Sequence, residues 1–267
     1  MRQRALLVGL GAIGWRWSQT DAPRSNNAAN ETHYHTMKHH AGIDLTGGVD
    51  VDAGARKEFQ QATGTLVYPD LASALTDAQP AIVTIATPPQ THAALVCEAA
   101  ACPSVKAIIC EKPMAESVSD CKRMIAACSG KTMIIGHQRR YEQRHRLLRA
   151  FIRSEAMGKP VAGACTFSGG WLNNGTHAAD TMRFLVGDGP WSIYQAKGEV
   201  FSAWVSTEHG SIILSSGGNL VPGYLKAMYD DALECMETGR TPECSGEDGM
   251  EAVRLALAAQ ESHEAAA

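Results

Sequence analysis

Ala5-Leu6-Leu7-Val8-Gly9-Leu10-Gly11-Ala12-Ile13-Gly14 sets an apolar run directly before the pattern G-x-G-x-x-G. The run has the length and character of a buried strand. Glycines at 9, 11 and 14 permit a tight turn and let backbone N–H groups approach a pyrophosphate at the amino end of the next helix. Glycine-rich turns also merely join strands to helices, so position matters more than letters. Here the motif stands at the first strand-to-helix passage of the chain. Gly9, Gly11, Ala12, Ile13 and Gly14 are therefore candidate cofactor contacts.

Outward from this turn the chain alternates. Strand-like runs lie at Leu45–Val49, Ala81–Ala86, Val105–Cys110 and Thr132–Ile135, and helical spacing fills Ala53–Thr63, His92–Ala101 and Ser117–Cys128. Ser117 with Asp120 has the form of a capping box. Strand–helix alternation builds a parallel sheet with helices on both faces, so residues 1–136 are expected to form a Rossmann dinucleotide-binding domain. The rhythm changes after Gly136. Val161–Gly170 reads as a long strand, Thr176–Val186 as a helix, and three further strand-like runs follow between Trp191 and Ser215. Helices at Tyr224–Glu237 and Gly246–Glu264 close the chain. The expected fold class is α/β, with a smaller α+β domain over 137–267 built on a shortened, mainly antiparallel sheet.

Composition narrows the function. The 267 residues are 45% hydrophobic and 19% charged, which suits a globular chain with a substantial core. A net charge of -4 and the lack of any long basic run leave no footprint for nucleic acid. No apolar stretch is long enough to span a bilayer. The run after Met1-Arg2-Gln3-Arg4 is too short for a signal peptide and breaks into glycines. Eight cysteines contain no C-x-x-C pair, and several sit in apolar stretches, as reduced core thiols do. The expectation is a cytoplasmic protein that takes a small molecule. His33, His35, His39 and His40 crowd one segment, and His35 and His39 have helical ligand spacing. No carboxylate motif completes a ligand set there, so no metal is expected.

The second strand ends in Gly47-Gly48-Val49-Asp50. An acidic side chain at that place accepts hydrogen bonds from ribose hydroxyls and repels a 2′-phosphate. Asp50 lies beyond the usual interval of about 20 residues, and the polar insertion Ser25–Asn30 accounts for the excess. Asp52 is the rival, and Asp50 could simply end a strand. The reading favours NAD, with NADP as the alternative. Thr84-Ile85-Ala86-Thr87-Pro88-Pro89 ends another strand at the same edge, where ligands of open parallel sheets sit. Thr87 and Pro88 are candidates for the nicotinamide side, and His92 beyond them could simply begin a helix.

The next strand ends in Cys110-Glu111-Lys112-Pro113. With the glycine motif and Ala86-Thr87-Pro88-Pro89-Gln90-Thr91-His92, this resembles the Gfo/Idh/MocA (glucose–fructose oxidoreductase / inositol dehydrogenase) family. His137-Gln138-Arg139-Arg140-Tyr141, Asn174-Gly175-Thr176-His177-Ala178-Ala179-Asp180 and Ser245-Gly246-Glu247-Asp248-Gly249 extend the likeness over nearly the whole chain. The resemblance implies a hydride transfer between nicotinamide and the hydroxyl or keto group of a sugar, nucleotide sugar or cyclitol, in a branch associated with surface polysaccharides. It also implies that Lys112 and His177 are the catalytic pair. Lysine donates to the substrate oxygen and lowers the hydroxyl pKa; an imidazole takes the proton near neutral pH. Glu111 and Lys112 then border the cofactor, and Arg139, Asn173 and Asn174 the substrate. Many members carry aspartate four residues before the histidine. Asn173 stands there instead, and asparagine cannot accept a proton.

Arg139 and Arg140 read equally well as a grip on a substrate phosphate or carboxylate and as a salt-bridge pair at the domain junction. Two rival functions stand beside the dehydrogenase: an NAD(P)-binding regulator or scaffold without turnover, and a reductase of an imine or other non-sugar carbonyl. Family members commonly associate through the second sheet's open face, so a homodimer or higher homo-oligomer is expected. Trp171, Trp191, Trp204 and the alternating Val200–Val205 run supply apolar area for it, unless they pack beneath the closing helices of the same subunit.

Overall fold

A run such as Ala5-Leu6-Leu7-Val8, apolar at every position, has to be covered on both faces. In the computed structural model, which describes residues 2–19, 31–198, 201–215 and 220–266, it is part of β1 (Gln3–Val8) near the centre of a six-stranded sheet. The other strands are β2 (Ile43–Val49), β3 (Val67–Tyr68), β4 (Ile82–Ile85), β5 (Ala107–Cys110) and β6 (Thr132–Ile135). Every pairing is parallel, in the order β3-β2-β1-β4-β5-β6. Helices α1 (His33–His39), α2 (Ala53–Thr63), α3 (Leu71–Ala78), α4 (Pro89–Ala101) and α5 (Val118–Ala127) make the connections. Ser117 caps α5 by accepting the Asp120 N–H, as its spacing implies. The two-residue β3 and the short α1 and α3 carry too few periodic positions to stand out in the sequence. The Ser25–Asn30 insertion and Val200 lie outside the described residues.

Strand order reverses between β1 and β4, which opens a crevice at their carboxyl ends. One backbone bond beyond each strand keeps the exits aligned: Gly9 donates to Val49, Ala86 to Val8, Glu111 to Ile85 and Gly136 to Cys110, at 2.7–2.9 Å. The glycine turn, the Thr87 loop and the Glu111-Lys112 loop therefore leave the sheet side by side.

The second sheet has four strands, β7 (Pro160–Phe167), β8 (Trp191–Gln195), β9 (Phe201–Thr207) and β10 (Gly210–Ser215), in the order β10-β9-β7-β8. Two pairings are antiparallel, and β7–β8 is parallel across the crossover helix α7 (Thr176–Val186). Helix α6 (Gln143–Arg153) precedes it; with only His145 and Ile152 buried, its apolar signal is weak. The expected strand to Gly170 ends at Phe167, and the chain then winds into a π turn over Trp171–Gly175.

Two features of this half bear on the sequence reading. The division at residue 136 separates the sheets but not the cores. Leu220, Tyr224, Leu225, Met228, Tyr229 and Ala232 belong to the core of the first sheet, because α8 (Tyr224–Thr238) crosses back onto it, as do Cys244 and Val253 near and within α9 (Gly246–Ala266). The tryptophans also divide. Trp171 is buried beside Phe167, Trp191 is half-buried and donates to the Gly187 carbonyl, and Val205 is core. Trp204 points the other way, because side chains alternate across a strand. With Ile213 and Tyr194 it lies exposed on the sheet's open face.

Candidate active site

The glycines of the first turn do different things. A Cβ at Gly14 would lie 2.1 Å from the Gly9 carbonyl oxygen, and one at Gly9, whose φ is +95°, 2.6 Å from that of Ala86. These two permit the turn to close. Gly11 has no atom within 4 Å of where its Cβ would be. Its backbone faces free space at the crevice, where a pyrophosphate can approach it. Ala12 is exposed, while Ile13 and Gly14 accept hydrogen bonds from His33 and Tyr34 N–H. The turn passes into a 3-10 segment at Arg16–Gln19.

Asp50 and Asp52 are separable by their bonds. Asp52 caps α2 through the Gly54 and Ala55 N–H groups. Asp50 accepts the Leu10 N–H at 2.9 Å, so its carboxylate stands against the glycine turn. Its other oxygen accepts the Asp52 N–H, and a carboxylate oxygen can accept a second hydrogen bond besides one N–H.

Thr87 accepts from Thr91, and Pro88 and Pro89 open α4. His92 is fully buried within α4, its ring nitrogens 2.8 Å from the Thr87 carbonyl and 3.0 Å from that of Pro113. It therefore fastens the Thr87 loop to the Lys112 loop. Glu111, a candidate cofactor contact, turns its carboxylate inward, and the residue is 6% exposed. One oxygen lies 3.0 Å from His33 Nε2 and the other accepts the Lys112 N–H. His33 Nδ1 reaches Tyr229 Oη at 2.9 Å, and that hydroxyl reaches Thr84. Burial pushes the Glu111 pKa up, but the hydrogen bond and charge of His33, with the charge and N–H of Lys112, together outweigh it and hold the carboxyl below its usual value. Thus a member of the histidine cluster forms the buried floor of the site. The His35 and His39 rings lie against each other, tilted by 38° with centroids 4.4 Å apart.

Beyond β5 the chemistry-bearing groups converge. Lys112 Nζ donates to Asn173 Oδ1. Asn173 and His177 are four residues apart, on the π turn and the first turn of α7, so they share one face. His177 is buried, with its ring edge-on to His137 at 5.4 Å. Burial first, then the charges of Lys112 and Arg139 and the neighbouring His137, hold its pKa well below the usual imidazole value, so the ring is neutral. Burial also lowers the Lys112 pKa, against the pull of Glu111 upward. His137 carries no predicted role and was legible only as part of a motif. It is buried with both nitrogens unpartnered, 3.9 Å from Asp180. Asn174 ties down its own loop, donating to the Ser168 carbonyl.

The arginine pair splits. Arg140 bonds Asp180 at 2.9 Å, Asp248 at 3.1 Å and the Glu243 carbonyl at 2.8 Å, and so ties α7 to the start of α9. It is the junction ion pair. Arg139 is not part of that network, and lies over the Phe201 ring at 3.7 Å. All eight cysteines are free, and among the described residues no helix is long and apolar enough to cross a membrane and no three His, Cys, Asp or Glu side chains converge on a metal site.

Residues 4–137 match the profile of a family described as an oxidoreductase family with an NAD-binding Rossmann fold. Inositol 2-dehydrogenase 3 of Saccharopolyspora erythraea is 28% identical over 161 residues, 55% of this chain and 47% of that protein. D-apiose dehydrogenase of Rhizobium rhizogenes is 32% identical over 140 residues, 45% of this chain and 40% of that one. The matched region thus spans less than half the length of these curated relatives. Among solved structures, the WlbA dehydrogenase of Bordetella pertussis, in complex with NADH and UDP-GlcNAcA, superposes with a TM-score of 0.80. At 17% identity, covering 100% of this chain and 96% of that one, it shares the fold.

Proposed function

The chain belongs to the Gfo/Idh/MocA family of oxidoreductases, and from this we propose that it is an NAD-dependent dehydrogenase of a sugar, nucleotide sugar or cyclitol. The observation that carries the reading is the meeting of Lys112, Asn173 and a neutral His177 beside the strand-order crevice. A pure cofactor-binding scaffold has no need of that pair. NAD, when bound, supplies the hydride acceptor. The open backbone at Gly11 fits its pyrophosphate, Asp50 its ribose, and Thr87 and Pro88 its nicotinamide side. Lys112 donates to the substrate oxygen and stabilises its growing negative charge. His177 accepts the hydroxyl proton, and Asn173 positions the lysine. Arg139 and Asn174 border the substrate.

A panel of sugars, nucleotide sugars and cyclitols with NAD and NADP, followed at the absorbance of the reduced cofactor, tests this. Tight cofactor binding without turnover of any hydroxyl compound would instead favour the regulator.

Asp50→Ala is expected to weaken NAD by about tenfold, the worth of one or two hydrogen bonds, and to narrow the preference over NADP. Asp50→Asn separates the causes, since it keeps an acceptor for Leu10 N–H but loses the charge. Calorimetric titration with both cofactors decides; unchanged affinities would remove Asp50 from the ribose site.

Eight free thiols, six of them buried, suit a reducing cytoplasm. Trp204, Ile213 and Tyr194 on the open face suit a homodimer. Light scattering across a dilution series should show dimer mass that falls to monomer on Ile213→Lys. A constant monomer mass at micromolar concentration rules the dimer out.

A further inference from the structure

The half-buried and buried arginines of residues 137–198 each have a carboxylate, with one exception. Arg140 pairs with Asp180 and Asp248, Arg149 with Glu243, and Arg183 with Asp188 and Asp248. Arg139 makes no ion pair among the described residues, and its Nε is buried without a hydrogen-bond partner. The two carboxylates whose charge reaches it are engaged by other partners: Glu142 by Arg144 and His145, Asp180 by Arg140. A buried guanidinium without an ion pair among the described residues is costly. Burial pushes the Arg139 pKa down to about 10, so the charge is strained but retained.

Its geometry suits an incoming ligand. The guanidinium carbon lies 3.7 Å from the centre of the Phe201 ring, and a guanidinium held by an aromatic ring, which accepts none of its N–H groups in plane, can still offer the fork that matches an oxyanion. Arg139 follows His137, whose ring meets that of His177 at 5.4 Å, by two residues, and its charge acts on both Lys112 and His177. Asn173 adds to the imbalance, because Lys112 meets an amide oxygen there and not a carboxylate. The site thus presents two cations and a neutral imidazole, with no free anion among these residues.

We propose that Arg139, seconded by Lys112, selects a substrate that carries an oxyanion, carboxylate or phosphate, close to the reacting hydroxyl: an acidic sugar in place of a neutral polyol. This rests on the dehydrogenase reading for which hydroxyl reacts, but the anion selection is measured by binding alone. The NADH-loaded protein is titrated calorimetrically with hexuronates and aldonates, with sugar phosphates, and with the neutral parent of each. The expected result is at least one acid bound about tenfold or more tightly than its parent, the worth of a charge-assisted hydrogen bond. Whether the carboxylate or the phosphate series shows it identifies the anion.

Arg139→Gln should bring that ratio towards one, and Arg139→Lys should restore only part of it, because lysine keeps the charge but loses the fork. A circular-dichroism melt of each variant checks folding. If Arg139→Gln does not fold, the comparison of acids with parents in the unaltered protein still decides. The proposal is overturned if no acid outbinds its parent, or if a folded Arg139→Gln keeps the full preference. Failure of the dehydrogenase reading looks different: an acid binds through Arg139, yet no NADH forms from NAD.

Discussion

Lys112→Ala is expected to lower turnover by roughly two to four orders of magnitude, and His177→Ala by a similar factor, the range of a positioned acid or base. NAD affinity should move little, since the pyrophosphate and ribose contacts proposed above lie on the glycine turn and just beyond β2. The two substitutions should differ in pH dependence. Burial and the nearby cations hold the His177 pKa well below its ordinary 6.5, so the ring stays unprotonated as pH falls past that value. Activity that depends on it should therefore hold its plateau below pH 6.5 and decline only as pH falls through the depressed pKa. In His177→Ala that acid limb should disappear from the residual rate. Steady-state kinetics across pH, with cofactor titrations beside them, would check both. Near-native turnover in either variant on a substrate the unaltered enzyme uses would remove that residue from the chemistry.

Arg140→Met should cost about 3–5 kcal/mol of stability, because it strands a buried carboxylate. Asp180 is 1% exposed and receives its one close charged bond from Arg140. His137 stands 3.9 Å from its other oxygen, too far for a hydrogen bond. Adding Asp180→Leu should recover most of the loss, since it removes the stranded charge. Urea unfolding of the single and double variants measures it. A loss under about 1 kcal/mol for Arg140→Met, the level of an exposed pair, would mean that the junction does not depend on this bond.

Much of this architecture was visible in one dimension because the governing rules are local. A parallel strand covered on both faces must be apolar throughout, so β1, β4, β5 and β6 announce themselves. Gly9 and Gly14 are dictated by a turn whose atoms lie within a few residues or at the adjacent strand exit. Glu111-Lys112-Pro113 and Asn173 to His177 are likewise short segments whose order alone marks them.

What the sequence by itself determined, then, is the α/β class, the glycine turn, the strand exits and the identity of the groups that gather there. Tertiary structure alone decided how each group is used. Glu111 faces inward because His33, 78 residues away in the chain, and Tyr229 beyond it supply the buried partners. Arg139 and Arg140 are neighbours with the same side chain, and opposite fates follow from where Asp180 and Asp248 come to lie. Trp171 and Trp204 are equally apolar, yet one is core and the other open surface, because α7 and α9 cover only one face of the second sheet. Hydrogen-bond pairing and desolvation act between residues distant in the chain, so a linear pattern can name these groups but not assign their partners.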